Sequence, residues 1–189
     1  MSNLEIAVKP TVAAMIKDIS IPLDKIQQLA ISKWMTKNAM VLEYIAFPHT
    51  NKVFYSERDC AQLMLGLLPA NTFIWLSRYI GNYWPIFSKG VNLWHGGFPG
   101  GGDTAEGYVY TFSVGFFGIQ LVTFRVPPKR DTPIFIHTRP GPWDVSTIQI
   151  WPTSRTVQWP PSGSFGDGGY GFPSFQEFAE RFSFGDHIV

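Results

Sequence analysis

The segment from Pro22 to Ala46 constrains the fold most, because it contains no glycine and no proline after its first residue. Apolar residues recur in it at three- and four-residue steps, which is the spacing of a helix face. One stripe consists of Ile26, Ala30, Trp34, Val41 and Ile45, and a second consists of Ile31, Met35 and Leu42. A helix that is apolar on more than half of its circumference is expected to pack on two sides. The segment therefore predicts a long central helix.

Both ends of this helix carry recognisable signals. Pro22 suits the first turn, where its missing N–H would have had no partner, and Asp24 places a negative charge near the positive end of the helix dipole. Pro48 cannot continue a helix and so marks the end. The predicted helix accordingly covers residues 22–46.

Two lysines of the segment, Lys33 and Lys37, lie one turn apart. Like charges at this spacing cost about a few tenths of a kcal/mol unless an anion lies between them. Two interpretations stay open: the amines extend into solvent along their aliphatic stems, or they hold a carboxylate or a phosphate. Glu43 lies on another face of the helix, so it is not expected to pair with Lys37.

The rest of the chain divides into a helical part and a later strand-rich part. A short helix is predicted over residues 4–19, with Pro10 near its start, and another begins at Ser56, where Asp59 completes a capping box, and ends near Gly66. From Thr72 onward, β-branched and alternating runs predict strands in TFIWLSRYIG, YVYTFSVG, FGIQLVTFRV, STIQIWP and TVQWP. Helices followed by strands indicate an α+β fold with a mainly antiparallel sheet.

The chain is predicted to close with a short C-terminal helix. Ser174 and Glu177 have the spacing of a capping box, and the helix would turn Phe175, Phe178 and Phe182 toward the sheet. We expect one domain over residues 1–189, with a helical part at about 4–66, a β-rich part at about 72–161 and the last helix at about 174–182.

Composition limits the class of protein. Charged residues are only 15% and aromatic residues reach 16%, yet no run approaches the ~20 apolar residues that span a bilayer. The first residues lack the pattern of a signal peptide, and the single cysteine, Cys60, cannot form a disulfide within the chain. We therefore predict a cytoplasmic globular protein without a membrane partner, in which Cys60 is a buried structural thiol.

The net charge of +1 argues against a basic coat for nucleic acid, but the charges are unevenly distributed. One basic stretch contains Arg125, Lys129, Arg130, Arg139 and Arg155 against Asp131 and Asp144, and the following segment is acidic through Asp167, Glu177, Glu180 and Asp186. The two stretches are expected to bind each other. The alternative is that the basic stretch contacts phosphate.

No catalytic or metal-binding constellation is evident. The four histidines, His49, His95, His137 and His187, are isolated, and no G-x-S-x-G elbow occurs, so neither a metal nor a cofactor is predicted. The glycine-rich residues 95–103 lack the ending of a phosphate-binding loop and favour a hairpin tip. Asp103 and Glu106 have the residue types for acid–base catalysis, although solvated loop charges explain them better.

The tryptophans of the strand-rich part have two interpretations. They occur at positions 75, 84, 94, 143, 151 and 159, interspersed with Arg78, Arg125 and Arg139. Aromatic and basic side chains on one sheet face can stack nucleic-acid bases, but the same aromatic residues also build protein cores. We prefer the core interpretation.

The run LAISKWMTKNAMVLE has a further significance. Its residues Leu29, Ala30, Trp34, Lys37, Ala39, Met40, Val41, Leu42 and Glu43 match residues of the pattern L-A-x-W-x-x-K-T-A-M-V-L-E, with Asn38 in place of the threonine and with three residues instead of one between Ala30 and Trp34. In this the chain resembles bacterial and phage HNH-endonuclease-like proteins. The segments Ile74–Gly81, Ile150–Pro152 and Trp159–Pro161 fit the same family, so the resemblance spans most of the chain.

The resemblance implies an absence. In that family a zinc-bound module with two Cys-x-x-Cys pairs, a Glu-His and a Cys-Asn precedes this part. A segment similar to Gly-Trp-Met-Ser-x-Leu-Glu follows the module, and Met1 to Glu5 look like the end of that segment. The chain is thus expected to be the partner domain without the nuclease centre, whether as a fragment, an internally started product or a gene that lost the module. On this interpretation it is not an enzyme.

Three functional hypotheses follow. The first is a non-catalytic binding or scaffold domain acting on nucleic acid or a nucleic-acid enzyme, with candidate contact residues Lys33, Lys37, Arg78, Arg125, Lys129, Arg130 and Arg139. The second is a phage-encoded inhibitor of a host defence nuclease, similar in role to an anti-CRISPR protein. The third is an enzyme or small-ligand-binding domain with an aromatic pocket between the sheet and the helices.

Overall fold

The chain folds into helices followed by antiparallel strands, which confirms the predicted α+β class. The structure, a computed structural model, describes residues 3–46, 53–94, 104–125, 143–153, 155–168 and 174–181. The elements are α1 (Asn3–Ile16), β1 (Ile21–Leu23), α2 (Lys25–Ala46), α3 (Glu57–Met64), β2 (Thr72–Arg78), β3 (Ile86–Trp94), β4 (Thr104–Val114), β5 (Phe117–Arg125), α4 (Trp143–Ser146), β6 (Thr147–Trp151), β7 (Val157–Trp159) and α5 (Phe175–Glu180).

The main sheet has five antiparallel strands in the order β3-β4-β5-β2-β6. Strands β4 and β5 form a tight hairpin. Strand β2 lies between β5 and β6, so both of its pairings join segments that are distant in sequence. A second small sheet pairs β1 with β7 and joins the segment before α2 to the late part of the chain. These long-range pairings tie both ends of the described chain to one framework.

One face of the main sheet packs against α1 and α2. The core between them contains apolar residues from both helices and four strands, namely Val8, Val12, Met15, Ile31, Met35, Ala39, Ile74, Leu76, Tyr108, Tyr110, Phe117, Ile119, Leu121 and Ile150. Trp159 of β7 is fully buried in the same core. The alternation of strand residues therefore directs one set of side chains to the helices, as a pleated strand requires.

The start of α2 differs from the prediction. Pro22 is not in the first helical turn but in β1, opposite Gln158, and the helix begins at Lys25. Asp24 is confirmed as a favourable residue at this end, since its carboxylate accepts from Gln27 N at 2.8 Å while Gln27 Oε1 accepts from Asp24 N at 2.9 Å. The pairing of β1 with β7 overrides the preference of proline for a helix start.

The buried face of α2 also differs from the prediction. Of the first predicted stripe, Ile26, Val41 and Ile45 are exposed, so this stripe does not pack against the described residues as a continuous face. Buried instead, beside the second stripe, are the polar residues Gln28, Ser32 and Thr36. Ser32 and Thr36 can enter a core because each hydroxyl donates to the backbone carbonyl four residues earlier, at 2.8 and 2.9 Å. Periodicity found the helix and its second stripe, whose Ile31 and Met35 are fully buried and whose Leu42 packs against the core, but it assigned most of the first stripe incorrectly.

The remaining predicted helices and strands are formed, whereas β1, assigned to a linker, and also β3 and α4 were not predicted. Pro10 lies in the interior of α1 and not near its start, because the helix already begins at Asn3. Strand β3 was not predicted, since Lys89, Gly90 and Asn92 interrupt its apolar pattern, as is common on edge strands. The predicted capping boxes at Ser56 and Ser174 are both formed.

Helix α5 packs on the other face of the main sheet. Gln120 is fully buried there and donates to the carbonyl oxygens of Phe178 and Ala179 at 2.9 and 3.3 Å. Arg181 donates to Gln120 Oε1 at 2.6 Å and stacks over the ring of Trp75 at 4.8 Å. The predicted packing of Phe178 on the sheet side is confirmed, whereas Phe182 lies outside the described residues.

The core interpretation is confirmed for Trp75 of β2 and for Trp159 of β7. Trp75 and Trp159 are 6% and 0% exposed, so neither offers a ring face for stacking a base. Trp84 is 72% exposed, but it lies in the connection between β2 and β3 and not on a sheet face. Among the described helices, none is both long and apolar enough to cross a bilayer.

Candidate binding surface of helices α2 and α3

A buried carboxylate fixes the chain that leads from α2 into α3. Glu43, near the end of α2, is only 6% exposed and accepts hydrogen bonds from the backbone N–H groups of Phe54 and Tyr55. Because it is committed to these two donors, Glu43 does not pair with Lys37, as predicted. The carboxylate thus holds the segment before α3 against the end of α2.

The two residues held by Glu43 are themselves anchored on the sheet. Tyr55 is buried, its hydroxyl lies 3.1 Å from Thr123 Oγ1, and burial raises the pKa of this phenol far above its usual range. Phe54 stacks on Tyr108 with 5.9 Å between ring centroids. Tyr55 therefore serves as a neutral structural anchor at neutral pH.

Helix α3 starts with the predicted capping box and an ion pair. Ser56 Oγ accepts from Asp59 N at 3.3 Å, and Asp59 Oδ2 accepts from Ser56 N at 2.8 Å. Arg125 at the end of β5 donates to Asp59 at 3.0 Å and places its guanidinium 4.8 Å from the centre of the Phe54 ring. Burial alone would raise the pKa of Asp59, but the hydrogen bonds from Ser56 and the charge of Arg125 outweigh it and lower that pKa.

Helix α3 lies antiparallel alongside α2. Near its start Cys60 Sγ is 3.9 Å from Met40 Sδ, and after its end the position of a Cβ on Gly66 would be 3.2 Å from Lys33 Nζ. The segment from Cys60 to Gly66 thus runs beside the segment of α2 from Met40 back to Lys33, which is about 10 Å long at 1.5 Å per residue. Nevertheless, not one residue of α3 is buried.

Exposed apolar side chains occur on this pair of helices, both at the end of α2 beside the start of α3 and at the end of α3 beside Lys33, and together we call them the α2–α3 surface. It contains Val41 (48% exposed), Tyr44 (77%), Ile45 (66%), Met64 (89%), Leu65 (79%) and Leu67 (58%). If a fully exposed side chain of this kind offers about 60–120 Å² of apolar area, the group presents on the order of 400 Å². Large side chains exposed in such groups on soluble proteins are commonly part of binding sites.

The charges next to this surface are of both signs, because Glu57 and Arg58 are exposed at the start of α3 and Lys33 lies beside its end. Lys33 makes no ion pair with any described residue, whereas Lys37 donates to Glu5 of α1 at 2.7 Å. The second interpretation of the two lysines is therefore correct for Lys37, which holds a carboxylate, although the carboxylate comes from α1. Both residues of that ion pair are about one-third exposed, at 36% and 35%, so the pair contributes little to stability.

The predicted basic residues are not brought together. Arg78 forms a bidentate ion pair with Asp18 and lies over the Phe116 ring, and hydrogen bonding to Asp18 raises the pKa of its guanidinium. Arg78 pairs with the first residue of β5, while Arg125 is the last residue of that strand, about 26 Å away at 3.3 Å per residue. Lys129, Arg130 and Arg139 lie outside the described residues.

The expected pairing between the basic stretch and the acidic segment does not occur among its described members. Arg125 pairs with Asp59, and Asp167 accepts from the Tyr79 hydroxyl and from Asn82 N. Glu177 is used in the capping box of α5. Arg125, Asp167 and Glu177 thus have local partners, whereas Arg155 makes no ion pair with a described residue.

Cys60 is exposed, which corrects the prediction of a buried thiol. Partial desolvation of the sulfur, together with the negative charges of Asp59, Glu43 and Glu57, raises the pKa of the thiol. A thiol with a raised pKa is mostly protonated at neutral pH and is a poor nucleophile. The error arose because the apolar neighbours of Cys60 in sequence suggested a core-facing helix, whereas α3 is at the surface.

Few of the residues considered for metal binding or catalysis lie in the described part of the chain. No group of three or more His, Cys, Asp or Glu side chains lies close enough there to hold a metal ion. All four histidines, Asp103 and the glycine-rich residues 95–103 lie outside the described residues, and Glu106 is on β4 and not on a loop.

Two open grooves occur near the small sheet. Among the described residues, Arg155 is the one ionisable residue that lines the groove between β6 and β7, of about 440 Å³. The other groove, of about 580 Å³ between α1 and β1, has Asp24 as its one ionisable residue in this part of the chain. Neither is the aromatic pocket that the enzyme hypothesis expected.

Sequence reasoning missed the apolar residues of the candidate surface. Val41 and Ile45 were assigned to a packed stripe, and Tyr44, Met64 and Leu65 were not singled out. A usable signal was present, because α2 is apolar around more than half of its circumference while Lys33 and Lys37 interrupt one side. An apolar helix face that also carries lysines is a candidate for reversible contact with a partner protein and not for permanent burial in the core.

Comparison of the chain with protein-family models, with curated proteins and with solved structures found no match. The resemblance to HNH-endonuclease-like proteins therefore stays a hypothesis that rests on the matching residues alone. The site is defined by its geometry, as exposed apolar side chains on two antiparallel helices with Lys33 at one margin.

Proposed function

We propose that the chain is a non-catalytic binding domain that docks on a protein partner through the α2–α3 surface. The observation that carries the proposal is α3 itself, an eight-residue helix with no buried residue that presents Met64 and continues into exposed Leu65. Helix α3 is held by a capping box, an ion pair and Glu43, yet it contributes no buried side chain to the core. Contact with another molecule explains why such a helix is retained. The resemblance suggests that this partner is a nucleic-acid enzyme.

The charges favour a protein partner over nucleic acid. Lys37, Arg78 and Arg125 each already bind a carboxylate of this chain, and Arg78 and Arg125 are at opposite ends of β5. Phosphate would have to displace these carboxylates at scattered positions. An apolar surface with one free amine at its margin is better matched by apolar side chains than by a sugar–phosphate backbone.

The partner surface is expected to be apolar at its centre and to carry carboxylates at its rim. Lys33 has no described counter-charge, and the only acidic residue within α2, Glu43, is buried and already accepts two hydrogen bonds. An acidic residue of the partner beside Lys33 would supply the missing charge. Such complementarity sets orientation and association rate more than affinity.

The test is site-specific crosslinking followed by reconstitution. A photo-crosslinking residue replaces Tyr44 in the full chain, the captured protein is identified, and its affinity for the wild-type chain is measured with both proteins purified. Met64→Glu and Leu65→Glu should each weaken binding at least tenfold, because they place carboxylates in an apolar contact. Val145→Glu is the matched control, since Val145 is 58% exposed and lies beside β6.

Two outcomes would count against the proposal. One is a partner whose affinity is the same for Met64→Glu, Leu65→Glu and Val145→Glu. The other is tight binding of a DNA or RNA duplex or single strand whose affinity falls steeply between 50 and 200 mM salt, which would favour the nucleic-acid alternative.

The second candidate function, inhibition of a host defence nuclease, uses the same surface. It requires in addition that the captured partner is a nuclease whose activity the purified chain suppresses at stoichiometric concentration. An unaffected nuclease activity at saturating chain would exclude inhibition and leave the scaffold role.

A further inference from the structure

Strand β3 forms one edge of the main sheet and has nine residues, from Ile86 to Trp94. It pairs with β4 along its whole length, and no other strand of the described residues pairs with its outer side. A long open edge can accept an additional strand from another molecule.

The register shows which backbone groups of β3 point outward. Ser113 N donates to Pro85 O at 3.0 Å, so the pair Pro85–Ser113 faces inward between β3 and β4. Because hydrogen-bonded pairs alternate in an antiparallel ladder, Phe87, Lys89 and Val91 also face β4 with their N–H and C=O groups. The backbone groups of Ile86, Ser88, Gly90 and Asn92 consequently point away from the sheet and are available to a further strand.

Gly90 lies in the middle of this open edge. Its φ is outside the left-handed region, and, apart from its two chain neighbours, no described residue has an atom within 4 Å of the position that a Cβ would take. Neither backbone conformation nor packing against the described residues therefore requires glycine here. A glycine inside a strand weakens it, but it permits another backbone to approach closely.

Lys89 determines which kind of strand can approach. Its side chain is exposed and makes no ion pair with any described residue. If two copies paired through β3 about an axis at Gly90 or Ser88, their Lys89 side chains would be diagonal neighbours, about 7–8 Å apart. Like charges oppose this self-pairing, whereas a carboxylate on an added strand would be favoured at the same position.

We infer that the outer edge of β3 binds an extended peptide segment of a partner protein as a sixth strand, with an acidic side chain of that segment beside Lys89. The backbone groups of Ser88 and Gly90 form the central hydrogen bonds. Phe87 and Val91 are on the same sheet face as Lys89, so apolar residues of the segment flank its carboxylate. This site is separate from the α2–α3 surface and does not depend on its function.

The binding test uses two synthetic peptides and the full chain. Both are fluorescein-labelled nonapeptides of alternating threonine and valine, one with a central glutamate and the other with a central lysine. By fluorescence anisotropy the glutamate peptide should bind about five- to tenfold more tightly, from the contribution of a cross-strand charge pair. Lys89→Glu should reverse the preference, whereas Lys25→Glu, the same charge change on α2, should leave it unchanged.

Two further measurements test the backbone. Gly90→Pro removes an outward N–H without removing a hydrogen bond to β4, so it should reduce peptide binding at least tenfold while circular dichroism stays unchanged. If that variant does not fold, hydrogen exchange of the wild-type chain replaces it. The amides of Ser88 and Gly90 should then exchange at least tenfold more slowly with the glutamate peptide, and those of Phe87 and Val91 should not change.

The inference is overturned if the two peptides bind equally, or if folded Gly90→Pro binds like the wild type. Unchanged exchange at Ser88 and Gly90 under saturating peptide would overturn it as well. A dimer of the wild-type chain in sedimentation that Gly90→Pro disperses would also overturn it, because the edge would then be occupied by a second copy.

Discussion

At the residue scale, Glu43 is the most informative side chain of the described structure. It is the last residue of the matched run LAISKWMTKNAMVLE, and it is buried where α2 meets the segment before α3. A buried carboxylate is costly unless hydrogen bonds compensate it, and here the N–H groups of Phe54 and Tyr55 do so. This residue therefore holds the α2–α3 surface in place without belonging to it.

Replacing Glu43 by alanine should lower the free energy of unfolding by about 2–4 kcal/mol, because two buried backbone donors lose their acceptor. Glu43→Gln keeps one acceptor oxygen and should cost about half as much. The measurement is urea denaturation, with Glu57→Ala as a control at an exposed position of α3. A loss below about 0.5 kcal/mol for Glu43→Ala would show that water replaces the carboxylate.

At the element scale, the two helices of the candidate surface differ in what stabilises them. Helix α2 buries Ile31, Met35 and Ala39 in the core, whereas α3 has no buried residue. An isolated helix of eight residues is unstable in water, so α3 depends on its cap and on contacts at its start. The ion pair of Asp59 with Arg125 and the hydrogen bonds of the capping box provide these contacts.

Acid should therefore loosen α3. The pKa of Asp59 is lowered in the folded chain, so its contribution is complete above the unfolded value near 4 and is lost as pH falls through the lower folded value. The stability difference between the wild type and Asp59→Asn should be at most about 1 kcal/mol at pH 6, because the pair is partly exposed. In urea titrations this difference should shrink toward pH 2.5. A difference that stays constant with pH would contradict this role, and Glu57→Gln controls for charge on the same helix.

At the scale of the whole molecule, the described elements share a core that joins early and late residues. Met15 of α1, Ile31 of α2 and Trp159 of β7 belong to one apolar cluster, and β1 pairs with β7. Elements that share a core generally unfold together. The helical and the β-rich parts that differ so clearly in sequence are thus not independent in the structure.

We expect one cooperative unfolding transition. Far-UV circular dichroism, which reports mainly on the helices, and tryptophan fluorescence, which reports on Trp159 and Trp75, should have the same midpoint in urea. Two separated midpoints would show that α1 and α2 unfold independently of the sheet. Because the described α3 has no buried residue, its amides should exchange before this global transition.

The sequence alone determined the features that depend on neighbouring residues. The long helix α2, the capping boxes at Ser56 and Ser174 and the strands with clear apolar runs arise from interactions within a few residues, so pattern and spacing were sufficient. The α+β class followed from their order. For the candidate site, only Lys33 and Lys37 were identified in advance, because basic residues are recognised individually.

Only the tertiary structure decided which apolar residues are covered. Val41 and Ile45 have the spacing of a packed stripe, yet no described element lies over them, and polar Gln28, Ser32 and Thr36 take the buried face because hydrogen bonds satisfy them. Pro22 joined a strand because β7, distant in sequence, lies beside it. Edge strand β3 is formed through its register with β4, despite a weak pattern of its own. Burial and strand pairing depend on which distant segment is adjacent, and no local pattern contains that information.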